Sequence, residues 1–210
     1  MSVYKPKLAL ICAASDDYVE KYQRFIHSHE RYCAKHDIDY FIERDPLQPG
    51  ETNKEWYWRK IYCVPKYFDR YDYVGVVDAD LFILNRAPDI RTVFDEKNAI
   101  YYANGKTGKP NSGFVWIKSN KKGRHYINTI IDYRYTIAHR LKPNTGGENG
   151  SVIRYIQQHP KFTKEIDRKW NFTNIKGSKF AYCLHFTKQL RGKLKLKNQT
   201  VNDYVKGIWW

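Results

Sequence analysis

Hydrophobic positions in this chain fall into short unbroken runs, separated by stretches in which apolar residues recur every third or fourth place. The first run, over 7–14, has the length and apolar character of a buried strand. Ser15, Asp16 and Asp17 then mark a helix start, and Tyr18, Val19, Tyr22, Phe25, Ile26, Tyr32 and Cys33 follow at helical spacing. The pattern next predicts a strand over 38–43, a polar loop with Pro and Gly over 45–53, a helix over 56–68 despite Pro65, and a strand over 73–77. Farther on it predicts strands at 81–84, 99–103 and 114–118, helices at 121–138 and 148–158 with a loop at 142–147, and a last strand at 180–186. Strands alternating with helices predict an α/β fold on a largely parallel sheet.

A length of 210 residues suffices for one substantial core and predicts a single domain. The four cysteines, Cys12, Cys33, Cys63 and Cys183, are far apart with no CxxC pair, so they are expected as reduced core thiols. No apolar run approaches the roughly 18 residues of a membrane span, and the first is too short for a signal sequence. The expectation is a soluble, cytoplasmic or otherwise intracellular protein, in which Asn149, Asn171 and Asn198 are not glycosylation acceptors. A formal net charge of +15 favours anionic partners, among which nucleic acid, acidic membrane and diphosphates all qualify.

The strongest chemical signal is Asp78-Ala79-Asp80 at the end of the apolar strand 73–77. Residues two apart on an extended strand face one side, so both carboxylates can grip one divalent ion. Open α/β sheets bind ligands outside the carboxyl ends of their strands. A charged turn that merely closes the strand accounts for the pair equally well at this point.

Further segments follow in an order that resembles the glycosyltransferases of the GT-A fold. The pattern is most similar to the retaining group of lipopolysaccharide galactosyltransferases and galactinol synthases, and it also resembles glycosyltransferase domains encoded by large algal viruses. The resemblance runs from residue 8 to about 193 and is weak between motifs. It implies a single-domain, Rossmann-like GT-A fold with a mixed, mostly parallel central sheet flanked by helices. The nucleotide-binding part would occupy about 1–85, the acceptor and catalytic part about 86–193, and a basic tail 188–210.

Ala13, Ala14, Ser15, Asp16 and Tyr18 resemble the turn that cradles uracil and ribose, although Ser15 or Asp16 also serves as a plain helix N-cap. Tyr57-Trp58-Arg59-Lys60 resembles an aromatic-x-Arg helix whose Arg59 would reach the donor, with a helix-surface charge as the alternative. Asn111-Ser112-Gly113 resembles an Asn-small-Gly turn against the donor sugar, with Asn111 and Ser112 as contacts. Glu148 and Asn149 resemble an acid-Gln loop facing the reacting sugar, with Asn149 where Gln is usual; Glu148 also suits a helix N-terminus electrostatically. Trp170-Asn171 and the segment from Tyr182 to Arg191 resemble the family's closing part, in which His185 would complete the metal site with Asp78 and Asp80, and Lys188 and Arg191 would grip the diphosphate.

The resemblance implies Mn²⁺ or Mg²⁺, a UDP-sugar donor, and a glycan or glycoprotein acceptor. Configuration would be retained, with Glu148 or Asn149 stabilising the oxocarbenium-like centre. An inverting enzyme of the same fold, with Glu148 as general base, is the second reading. A basic nucleic-acid-binding module is a third, but the chain has no helix-turn-helix, zinc-finger, RNP or KH signature, so nucleic acid is not expected. The chain is also compatible with membership of a larger multidomain protein, and with the host cytoplasm if viral.

Overall fold

The computed structural model of the protein describes residues 4–44, 56–137, 147–174 and 178–187. Its strands are β1 (Leu8–Ala13), β2 (Asp39–Glu43), β3 (Tyr73–Val77), β4 (Leu81–Ile83), β5 (Ile100–Asn104), β6 (Pro110–Lys118), β7 (Thr163–Ile166) and β8 (Cys183–His185). Its α-helices are α1 (Asp16–Lys21), α2 (Gln23–His36), α3 (Trp56–Cys63), α4 (Lys121–Ile137) and α5 (Glu148–Gln158). Six strands form the main sheet in the order β2-β1-β3-β6-β5-β7, and β4 pairs with β8 apart from it. β1 runs parallel to β2 and β3, and β5 parallel to β7, while β6 is antiparallel to both its neighbours. The sheet is therefore mixed and mostly parallel, with helices against it, as the α/β reading expects.

The strands read as continuous apolar runs because both faces of the sheet are covered. Leu8, Leu10 and Cys12 of β1 point with Phe114 and Trp116 of β6 into a core that also takes Phe25, Ile26, Tyr32 and Cys33 of α2. Ala9, Ile11, Val74, Val76, Val115 and Ile117 point the other way, against Trp58 and Ile61 of α3, Tyr126 and Ile130 of α4, and Val152 and Tyr155 of α5. All four cysteines are free and buried in these cores. Among the described residues no helix is long and apolar enough to cross a membrane.

Local chemistry explains where the structure departs from the pattern. The predicted helix after Ser15 is two helices, because Tyr22 leaves helical geometry (φ −109°, ψ 24°) and buries its ring edge-on against Phe25. The helix entering Pro65 stops at Cys63, and Val64–Tyr67 continues as a 3₁₀ turn, since proline disfavours α-geometry in the residue before it. Strand β6 begins at Pro110, so Asn111-Ser112-Gly113 lies in a strand whose register against β5 shifts at Tyr102/Ala103, and not in a turn. Strand β7 is an edge strand that the pattern missed, and the last strand shrinks to β8, preceded by a 3₁₀ turn at Ser178–Phe180. The predicted loop over 45–53, most of that over 142–147, and the basic tail lie outside the described residues.

The β4 segment is tied to α2 by a buried histidine. His29 is fully enclosed; its Nε2 donates to Leu81 O at 2.6 Å, and its Nδ1 faces the Tyr40 hydroxyl at 3.0 Å. Burial holds its pKa down to about 4, so the folded protein keeps the ring neutral. The unfolded chain, with an ordinary histidine near pKa 6.5, binds that proton first, so stability falls as pH drops through the window from about 6.5 to 4. At about 1.4 kcal/mol per pH unit the loss reaches roughly 3 kcal/mol. Urea denaturation across this window is expected to show a shallower pH slope in His29→Gln than in the natural protein; equal slopes would contradict the assignment.

Candidate active site

The carboxyl ends of β1 and β3 lie side by side, with Ile11 opposite Val76, and the chain leaving β3 turns at once. Asp78 N donates to Gly113 O at 2.9 Å and Leu81 N to Asp78 O at 3.0 Å, so Asp78-Ala79-Asp80 is a tight turn and not the extended strand end that the spacing suggests. Its acids still converge, because β8 is antiparallel to β4 with Leu81 opposite His185, and Phe186 N donates to Asp80 O. His185 Nε2 lies 3.5 Å from Asp78 Oδ2 and 3.3 Å from Asp80 Oδ1. One ligand atom from each residue falls within 4.8 Å of the others. Ligands on opposite sides of one divalent ion stand about 4.2–4.8 Å apart, so the group fits one ion.

A relay of hydrogen bonds sets which nitrogen of His185 faces these acids. The Gly113 amide can only donate, and it donates to Asn111 Oδ1 at 2.9 Å. That oxygen also accepts from Asn171 Nδ2 at 2.8 Å, which turns Asn171 Oδ1 toward His185 Nδ1, again at 2.8 Å. Nδ1 therefore carries a proton, and Nε2 is left to bind a metal between the two acids. Burial opposes charge on this ring, but the facing carboxylates of Asp80 and Asp78 prevail and raise its pKa. Gly113 is the residue that admits the ring: a Cβ there would lie 2.3 Å from His185 Cε1.

Behind the turn sits a buried lysine. Lys60 of α3, with its side chain 5% exposed, donates to Asp78 Oδ1 at 2.6 Å and pairs with Glu148 Oε1 at 2.7 Å. Its ammonium also donates to Ser112 O at 3.1 Å. Burial works against the charge, yet Asp78 and Glu148 outweigh it and hold the pKa above the ordinary lysine value. Ser112 Oγ donates to Glu148 Oε1 at 2.7 Å, and Asn149 Oδ1 accepts from Ser112 N at 2.8 Å. Gly147, at φ 81°, supplies the left-handed turn that starts α5 with Glu148 turned inward.

The structure thus brings together Asp78, Asp80, His185, Asn111, Ser112, Glu148 and Asn149, with Ala79 buried in the turn. Ala13, Ala14, Ser15 and Asp16 sit at the neighbouring end of β1, where Ala14 N donates to Glu43 O, Ser15 Oγ bonds Asp17, and Asp16 pairs with Arg44. Tyr18 is exposed on α1. Arg59 is half-buried, and its neighbour Lys60 is the α3 cation that bridges Asp78 and Glu148. Lys188 and Arg191 lie outside the described residues. Sequence reasoning gives no role to Lys60, and it singles out Asn171 with Trp170 only as part of the closing segment, without its contact to His185.

No family model matches the sequence, and no curated protein matches it either. Solved structures do match the architecture. One is a glycosyltransferase involved in the glycosylation of the major capsid of PBCV-1, with a TM-score of 0.71 at 13% identity, covering 91% of this chain and 98% of the other. The fold is a glycosyltransferase fold. A second match, the glycosyltransferase GlyE of Streptococcus pneumoniae TIGR4, has a TM-score of 0.60 at 14% identity and covers 88% of this chain and 55% of the other. In this glycosyltransferase-fold protein, the carboxyl edge of the sheet is where the acids, His185 and Lys60 meet.

Removing the lysine leaves two acids without their shared cation. Lys60→Met is expected to destabilise the protein by about 3–5 kcal/mol, and adding Glu148→Gln to that variant should recover part of the loss. Chemical denaturation of the two variants checks this; no loss in Lys60→Met would mean that the ion pairs are not formed.

Proposed function

We propose that the protein is a metal-dependent glycosyltransferase that moves a sugar from a UDP-sugar to a hydroxyl of a glycan or glycoprotein, with retention of configuration. The observation that carries this reading is the convergence of Asp78, Asp80 and the Nε2 of His185 at the carboxyl edge of a glycosyltransferase-fold sheet. Two carboxylates and one imidazole suit Mn²⁺ or Mg²⁺, with Asn171 orienting the histidine. Held by Asp78, Asp80 and His185, a divalent ion would supply positive charge toward the departing diphosphate.

The protein's own groups account for the remaining parts. The end of β1, from Ala13 to Asp16, borders the acids and is proposed to take the nucleoside. Lys60 holds Asp78 in place through one ion pair and orients Glu148 through another. With Oε1 bonded to both Lys60 and Ser112, Glu148 is better placed to stabilise positive charge at the anomeric carbon than to take a proton from an acceptor. That favours retention over an inverting mechanism with Glu148 as base. Asn149 shapes the same wall through Ser112. Arg59, Lys188 and Arg191 are proposed to neutralise diphosphate charge.

Turnover of a panel of UDP- and GDP-sugars with Mn²⁺, read as nucleotide release and product anomer, tests the class and the stereochemistry. Binding tests the site. UDP with Mn²⁺ is expected to stabilise the natural protein, by roughly 2.7 kcal/mol at a hundred times the dissociation constant, and UDP with EDTA far less. In Asp80→Asn, which keeps the shape and loses the charge, the Mn²⁺-dependent increment should vanish. Equal stabilisation by UDP in EDTA, or an unchanged increment in Asp80→Asn, would contradict the metal bridge.

A further inference from the structure

Of the five large hydrophobic side chains that stand exposed among the described residues, Tyr57, 56% exposed, lies beside the candidate site. Tyr57 is one helical turn before Lys60 on α3, so it stands on the Lys60 side of the helix, toward the mouth of the site. Its ring also lies over Gly147, where an added Cβ would touch Tyr57 Cβ, Cγ and Cδ2 at 3.5–3.6 Å. Gly147 directly precedes Glu148. Whatever rests on this ring is therefore beside the buried acid.

Trp58 and Tyr62, each two residues from Lys60, turn to the other face of α3, where the Arg134 guanidinium lies 5.3 Å from the Trp58 ring, 5.6 Å from that of Tyr62 and 5.5 Å from that of Tyr135 on α4. Tyr57 instead faces Gly147 and the start of α5. An exposed ring beside a buried acid offers a flat apolar surface to a ligand at the site.

We propose that Tyr57 is the platform on which a sugar ring of the acceptor stacks. A pyranose has one apolar C–H face and a rim of hydroxyls, which matches a flat phenol ring and its polar edge. The nucleotide is assigned to the opposite side, at the end of β1, which leaves the α3/α5 side for the acceptor. The idea deepens the proposed transferase and rests on it.

Saturation-transfer NMR tests it directly on the natural chain, without donor or metal, using cellobiose, lactose, maltose and xylobiose as neutral probes. At least one is expected to receive saturation at its ring C–H protons. That signal should fall at least tenfold in Tyr57→Ala, persist in Tyr57→Phe, and stay unchanged in Tyr135→Ala, an exposed tyrosine of α4 that serves as control, with melting temperatures confirming that each variant is folded. Absence of saturation on every probe would overturn the platform, as would an unchanged signal in Tyr57→Ala, or binding of a single-stranded oligonucleotide in place of sugars. Because nucleotide and metal take no part, a failure here is read separately from a failure of Mn²⁺-dependent UDP binding.

Discussion

Lys60 is the group on which the rest of the site depends. Three segments distant in sequence, α3, the turn after β3 and the start of α5, each bring one member to a single buried ammonium: the lysine itself, Asp78 and Glu148. Leaving Lys60 or Glu148 unpaired at that depth would cost several kcal/mol, while Asp78 reaches the surface of the site. The buried pair is therefore stabilised together. That mutual requirement fixes the entry of α5 beside the Asp78 turn and makes the orientation of Glu148 part of the fold.

His185 is set by a different kind of constraint, one of hydrogen-bond sense. The relay begins at a backbone amide that cannot reverse, passes through two asparagine side chains, and ends on a ring nitrogen. Each step has only one satisfactory arrangement, so the tautomer follows from the backbone of β6. Gly113 serves twice, by starting the relay and by making room for the ring it orients. The small β4–β8 sheet, pinned to α2 through His29, then brings that ring over the acids. The geometry of Asp78, Asp80 and His185 is thus supported from the strand beside it and from the helix beneath it.

The sheet was legible because each of its inner strands is an apolar run buried on both faces, and helices between such runs leave few topologies. The edge strand β7 was not, since Thr163-Lys164-Glu165-Ile166 has only one buried residue to announce it. Asn111-Ser112-Gly113 has turn composition but lies in a strand, because pairing with β5 and the contact with His185 override local preference. The acids and His185 could be read as one group from their segments. Lys60 could not be told from Arg59, because adjacent positions on an eight-residue helix differ only in phase, and the burial that decides between them comes from tertiary packing. Asn171 is marked only through the resemblance around Trp170, and nothing local shows that it meets Asn111, 60 residues away.

The central claim is that Asp78, Asp80 and His185 hold one divalent ion to which a nucleoside diphosphate also binds. Pulsed electron paramagnetic resonance of the protein with Mn²⁺ and UDP tests it most directly, because the ion reports the nuclei bound to it. The account predicts nitrogen coupling from one imidazole together with phosphorus coupling from UDP, with the nitrogen coupling lost in His185→Gln. A Mn²⁺ spectrum with phosphorus coupling and no imidazole nitrogen, or with neither, would contradict it.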